Sequence, residues 1–310
     1  MRPRADAVEV RKPSHRAGFV AIVGRTNVGK STLLNQLLGE KVAIVSDLPQ
    51  TTRHRILGVR TLPHAQIAFL DTPGIHRPRH RMNRLMVSAA LQALGQVDVV
   101  LFMLDASQGI GPGDRYVARL LREIPAGRPV VVVLNKVDRV LKPGLLPMIE
   151  AISRDWSFGE IVPLSALSGE NCDRLLEVVV RLLPEGDPLY PPDALTDQPE
   201  RRLVTELIRE KILAATRQEL PHETAVMIDA WRAREDGLVE IAATIYCERD
   251  SQKAIIVGRG GGLLKKVGTG ARLEIERVLG ARVMLRLWVK VRRGWRENES
   301  ILRQLGIGGD

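Results

Sequence analysis

The chain has 310 residues, 45% apolar and 26% charged, which marks a soluble globular protein long enough for two domains. Its net charge of +10 points to a phosphate-bearing partner, while an aromatic content of 4% disfavours an RNA platform built on base stacking. No apolar run reaches the roughly 18 residues that cross a bilayer, no apolar signal segment follows the basic start Met1-Arg2-Pro3-Arg4, and Cys172 and Cys247 lack metal-ligand spacing and read as unpaired thiols of a reducing cytoplasm.

Residues 1–17 read as a flexible, solvated tail. An apolar run at 19–23 then enters Gly24-Arg25-Thr26-Asn27-Val28-Gly29-Lys30-Ser31, the phosphate-loop pattern G-x-x-x-x-G-K-S, and a helical run occupies 31–38. The two glycines let successive N–H groups curl around a phosphate chain at a helix N-terminus, where unpaired donors and the helix dipole favour an anion. Lys30 adds a mobile positive charge and Ser31, followed by Thr32, a hydroxyl for Mg²⁺. Gln50-Thr51-Thr52-Arg53-His54-Arg55, taken alone, reads as a surface loop.

Strands at 56–61 and 66–70 pair antiparallel, and the second ends in Asp71-Thr72-Pro73-Gly74. Asp71 is placed to reach Mg²⁺, directly or through water, and the Gly74 N–H to face a γ-phosphate. Ile75 follows, a residue that cannot orient a water. Helices are expected at 82–94 and 114–123. The β-branched run 130–134 has the character of a strand buried on both faces and ends in Asn135-Lys136-Val137-Asp138, N-K-x-D. The Asp138 carboxylate can accept from guanine N1–H and its exocyclic amine, groups that adenine lacks, and such a site rejects the analogue by roughly 10⁴-fold. A helix at 145–155 precedes a short strand, 161–164, whose end Ser165-Ala166-Leu167 can close over the base. A last helix, 171–183, is capped by Asn171 or Asp173. The domain 18–183 is thus a doubly wound, mostly parallel α/β sheet with one reversed strand, and every nucleotide element follows a strand's carboxyl end.

Proline-rich residues 184–199 read as a semi-rigid linker. Residues 200–296 form a second domain and 297–310 a C-terminal tail. From 251 onward there are 13 basic and 5 acidic residues, so this last fifth holds +8 of the net charge. A helix at 201–216, strands at 225–230, 239–247 and 282–291, and helices flanking Gly258-Arg259-Gly260-Gly261 give α-β-β-α-α-β. That pattern resembles a KH domain, whose GxxG turn clamps about four nucleotides through its backbone. Lys253, Arg259, Lys265, Lys266 and Arg272 are the expected phosphate contacts, joined by Gly258, Gly260 and Gly261 of the turn. Gly268 and Gly270 each cost roughly 1 kcal/mol in a helix interior, so fraying or a kink is expected there.

The ordered set GRTNVGKS, QTTRHR, DTPG, NKVD and SAL, followed by GRGG, resembles the bacterial Era family from about residue 18 to Trp295. The resemblance implies a P-loop GTPase domain followed by a type II KH domain, with GTP or GDP, Mg²⁺ and potassium as ligands. It makes 50–55 the first switch, in which Thr52, with Thr51 as alternate, closes on Mg²⁺ beside Ser31 and Asp71. Lys30, Thr52, Gly74 and Asn27 become the hydrolytic set, Asn27 helping to hold potassium, although Thr26 departs from the family's usual proline. Slow intrinsic GTP hydrolysis, binding to the 3′ end of 16S rRNA, and a role in rRNA processing and 30S subunit maturation follow, for a cytoplasmic monomer. Three alternatives share these features: an RNA chaperone with guanine nucleotide as a structural ligand, a regulator peripheral on the inner membrane, and a tRNA-modifying GTPase. The last lacks its N-terminal substrate domain and C-terminal catalytic cysteine here.

Overall fold

The computed structural model describes residues 15–46, 48, 51–78, 80–123, 127–216 and 224–307. Most of the expected N-terminal tail (1–14) and Gln50 of the first switch lie outside them, and the first strand begins at Arg16, inside the span expected as tail.

Strands β1 (Arg16–Gly24), β2 (Ile56–Leu62), β3 (Ala65–Asp71), β4 (Val99–Asp105), β5 (Val130–Asn135) and β6 (Ile161–Pro163) form one sheet in the order β2-β3-β1-β4-β5-β6. Only β2 runs antiparallel to its neighbour. The interior strands β3, β4 and β5 are buried along their whole length, which is why their sequences run apolar without alternation. Helices α1 (Lys30–Leu38), α2 (Arg81–Leu94), α3 (Pro112–Leu121), α4 (Leu145–Asp155) and α5 (Cys172–Leu182) cover both faces, α1 and α5 closing one core and α2, α3 and α4 the other. Asn171 occupies the α5 N-cap position at φ 66° without a side-chain cap; its amide donates instead to the Pro163 carbonyl at 2.7 Å. The linker is strapped to the sheet. Buried Gln66 on β3 accepts from the Leu189 and Tyr190 N–H groups at 2.7 and 2.8 Å, and the Val59 N–H of β2 donates to the Leu195 carbonyl at 2.8 Å.

The second domain follows the expected order: α6 (Glu200–Thr216), β7 (Ala225–Ala233), β8 (Leu238–Cys247), α7 (Asp250–Val257), α8 (Gly262–Leu279) and β9 (Arg282–Val291). Central β8 pairs antiparallel with β7 and parallel with β9. Two expectations are corrected here. Helix α8 runs unbroken through Gly268 and Gly270, because Val267, Ala271 and Ile275 of the same helix are buried in the second domain's core and that tertiary packing outweighs the glycines' intrinsic cost. Residues 297–310 are not simply a tail: Asn298 caps α9 (Glu299–Gln304), accepting from the Ile301 N–H at 3.1 Å, and Ile301, Leu302 and Ile307 are buried.

These C-terminal side chains pack with Met82 and Met86 of α2 and with Ala225, Tyr246 and Trp295, while Ile44 of the first domain is buried in the second domain's core. The two domains therefore share apolar cores. Among the described residues no helix is long and apolar enough to cross a membrane.

Candidate nucleotide and RNA sites

The phosphate loop bends through Asn27 (φ 64°) and Gly29 (φ 100°), and Gly29 is the N-cap of α1. A Cβ at Gly29 would lie 2.3 Å from the Asn135 amide nitrogen, so glycine is required both for conformation and for approach to the N-K-x-D strand. Lys30 spans the loop, donating to the Arg25 carbonyl at 3.0 Å and the Gly24 carbonyl at 3.4 Å. Burial pushes its ammonium down to about 8, against the raising effect of Asp71. Beside it lies a cavity of about 50 Å³ lined by Thr26, Asn27, Gly29, Lys30, Ser31, Thr32, Thr51, Thr52 and Gly74, and by Ile44, Val45 and Ser46.

Three side chains from separate elements meet at its edge. Asp71, at the end of β3, is fully buried, and its Oδ2 accepts from Ser31 Oγ at 2.6 Å and from Thr52 Oγ1 at 3.2 Å; the two hydroxyls are 2.8 Å apart. Its Oδ1 is buried and has no hydrogen-bond partner among the described residues. Burial raises the Asp71 carboxyl above the usual range in spite of Lys30, Ser31 and Thr52. A desolvated carboxylate with one oxygen unpartnered and the other meeting two hydroxyls fits a hard divalent cation, which takes oxygen ligands and stabilises the ionised form. Thr51 stands apart, its hydroxyl donating to the Leu48 carbonyl at 2.7 Å.

The remaining motif residues divide between framework and open groups. Gly74 lies against Thr26, where a Cβ would approach the Thr26 Cα to 2.9 Å. Thr72 Oγ1 donates to the Ile22 carbonyl at 2.9 Å, Pro73 is buried, and Ile75 is buried in the core beneath the sheet. The Arg25 side chain turns away from the cavity to Asp114 at 3.0 Å and Gln108 at 2.8 Å. Val28 is core, while its carbonyl accepts from the Asn135 amide at 2.7 Å; the same Asn135 side chain accepts from the Ala166 N–H at 2.9 Å. Asn135 thus ties the phosphate loop to Ser165-Ala166-Leu167, of which Ser165 is buried and Leu167 exposed. Lys136 (φ 66°) reaches the Asn27 carbonyl at 2.8 Å and Asp105 Oδ2 at 2.7 Å. Asp138 is partly open, 3.9 Å from Arg139.

Asp105 was missed in the sequence. Burial would raise its carboxyl, but Lys136 and Ser107 together hold it below the usual range. The signal was present: an apolar run ending in aspartate, as β3 ends in Asp71. Ile44, Val45 and Ser46 carried no such signal.

In the second domain Gly258, Gly260 and Gly261 all have positive φ, and a Cβ on Gly258 would lie 2.7 Å from Leu263 Cβ, whereas nothing lies within 4 Å of the other two. The turn is therefore open to backbone approach. Lys253, Arg259, Lys265 and Lys266 are exposed around it, while Arg272 is engaged by Glu276 at 2.7 Å. Between α8 and β9 runs a groove of about 390 Å³ with Leu264, Leu285 and Leu287 along it and Lys265 and Arg272 at its edge.

A phosphate loop, a buried aspartate with paired hydroxyls and an N-K-x-D strand define a guanine-nucleotide-binding site of the GTPase class, here joined to a domain of KH topology. Residues 19–136 match the family described as 50S ribosome-binding GTPase, and residues 219–296 match the KH domain. GTPase Era of Lacticaseibacillus paracasei is 50% identical over 292 residues, 94% of this chain and 97% of that one; GTPase Era of Geobacter metallireducens is 51% identical with the same coverage. Two Era crystal structures are 44% identical: an Aquifex aeolicus variant bound to GDP·AlF4⁻ (TM-score 0.91, covering 94% of this chain and 99% of that one), and Era with MgGDPNP and nucleotides 1506–1542 of 16S ribosomal RNA (TM-score 0.92, 95% and 99%). The chain belongs to the Era family of GTPases.

Proposed function

We propose that the protein hydrolyses GTP as a switch controlling its grip on the 3′ end of 16S rRNA, and that the cycle serves rRNA processing and 30S subunit maturation. The observation that supports the metal-dependent switch is the buried Asp71 carboxylate, whose Oδ2 meets the Ser31 and Thr52 hydroxyls while its Oδ1 has no hydrogen-bond partner among the described residues. Mg²⁺ held by these three residues would supply charge neutralisation at the transferring phosphoryl group. The loop N–H groups and Lys30 bind the phosphates, Gly74 offers its N–H to the γ-phosphate, and Asp138 selects guanine while Asn135 and Lys136 hold loop and base site together.

Since Ile75 is buried, no side chain at that position orients the attacking water. We assign Asn27, which lines the phosphate cavity, to holding a potassium ion there. Equal hydrolysis rates in sodium and potassium would remove that assignment. The rRNA reading draws on the 44% identical structure holding a 16S fragment and on the open, basic-rimmed turn and groove of this chain. It is tested by the affinity of a labelled 3′-terminal 16S oligonucleotide for protein carrying GDP or a non-hydrolysable GTP analogue, at fixed salt. Tighter binding with the analogue is expected; equal affinity sinks the coupling.

A further inference from the structure

The second domain holds the first switch on both sides of Thr52. On α6, Arg209 donates from Nη2 to the Thr51 carbonyl. Arg53 donates from Nη1 to the Thr224 carbonyl at 2.8 Å, and its guanidinium lies 5.7 Å from the centre of the Trp295 ring. Residues 51–53 belong to no helix or strand, so no ladder of backbone hydrogen bonds fixes the direction of the Thr52 hydroxyl. These anchors from outside the nucleotide domain supply it.

Arg209 is 1% exposed and is gripped one turn back by Glu206, which meets it at Nε at 3.1 Å and also at Nη2. Burial pushes the Glu206 carboxyl up, but the Arg209 charge and hydrogen bond outweigh it and keep the group ionised. A buried ion pair of this kind contributes little net stability compared with apolar residues of the same volume. What it supplies is direction: a planar guanidinium meeting a carboxylate and a backbone carbonyl together fixes both positions.

We infer that Arg209, oriented by Glu206, is a positioning residue for GTP hydrolysis, placing the Thr52 hydroxyl through the Thr51 carbonyl. The RNA-binding domain thereby sets the competence of the nucleotide site. Helix α6 is in turn tied to α8, the helix that follows the glycine turn, by Lys211 and Glu274. The inference rests on the proposal that Thr52 belongs to the metal-binding set.

The test compares full-length wild type, a Glu206→Gln/Arg209→Met double variant, Arg209→Lys and Thr52→Ala, measuring kcat, KM, GDP affinity and the Mg²⁺ concentration for half-maximal hydrolysis. In the double variant kcat is expected to fall by about 10- to 100-fold, the loss typical of a small misplacement. Its Mg²⁺ requirement should rise while GDP affinity stays within about twofold, and Arg209→Lys should recover part of kcat. A double variant with unchanged denaturation midpoint, kcat and Mg²⁺ dependence overturns the inference. Should the double variant fail to fold, Arg209→Lys decides, because it keeps the charge pair and loses the fork; an unchanged kcat and Mg²⁺ requirement there overturns it equally. An unaltered Mg²⁺ dependence in Thr52→Ala would instead sink the metal-site assignment, which separates the two failures.

Discussion

Raising the pH from 7.5 to 9 should weaken GDP binding, and Lys30 sets the size of the effect. Burial lowers its ammonium from 10.5 to about 8, against the raising influence of Asp71. At 1.36 kcal/mol per pH unit, the protein withholds about 3 kcal/mol of solvation from the charged form. Phosphate oxygens return that stabilisation, so GDP binds the protonated lysine and binding takes up a proton wherever the free protein has lost it. The affinity should be roughly eightfold lower at pH 9 than at pH 7.5, with the slope beginning near pH 8. The sign for folding is opposite. Between about 8 and 10.5 the unfolded chain binds more protons than the folded one, so nucleotide-free protein gains stability as pH rises through that window. Calorimetric titration with GDP across the range checks the first effect, and Lys30→Arg, charged throughout, should flatten it. A pH-independent affinity in the wild type, or an undiminished slope in Lys30→Arg, would refute the reasoning.

Three further outcomes follow from the geometry. Asp105→Asn removes the charge 2.7 Å from the Lys136 ammonium and should cost about 1–3 kcal/mol of guanine-nucleotide affinity, read by titration with GDP. Gly29→Ala introduces a Cβ 2.3 Å from the Asn135 amide at φ 100°; strain of about 1–3 kcal/mol plus the displaced Asn135 should abolish measurable binding, with the fold retained by circular dichroism. Trp295→Ala empties a fully buried site shared by α2, α9 and β7 and removes the ring under Arg53, so a loss of about 3–5 kcal/mol in denaturant unfolding is expected.

The nucleotide site was legible because its chemistry is local. Glycine spacing, a lysine and hydroxyl at a helix start, and polar residues at the ends of apolar strands all place backbone donors and carboxylates wherever the sheet sits. Even so, local reading left Thr51 and Thr52 both open; only packing separates a hydroxyl turned to Leu48 from one turned to Asp71. The reading of Gly268 and Gly270 failed for a related reason. Propensity counts the cost of glycine within a helix, whereas burial of Val267, Ala271 and Ile275 in the domain core holds α8 together in spite of it.

Sequence by itself determined the phosphate loop, the buried apolar strands of the first domain, the glycine turn and the division of charge between the domains, since each depends on residues close together in the chain. Tertiary structure alone decided that Asn135 joins the phosphate loop to Ala166, that α9 closes on Met82 and Met86, and that Arg209 reaches Thr51 across 158 positions. A contact of that separation leaves no periodicity in the sequence. Burying Trp295 and Ile44 between the domains brings their polar neighbours into the same desolvated space, where Arg209 meets both Glu206 and the Thr51 carbonyl.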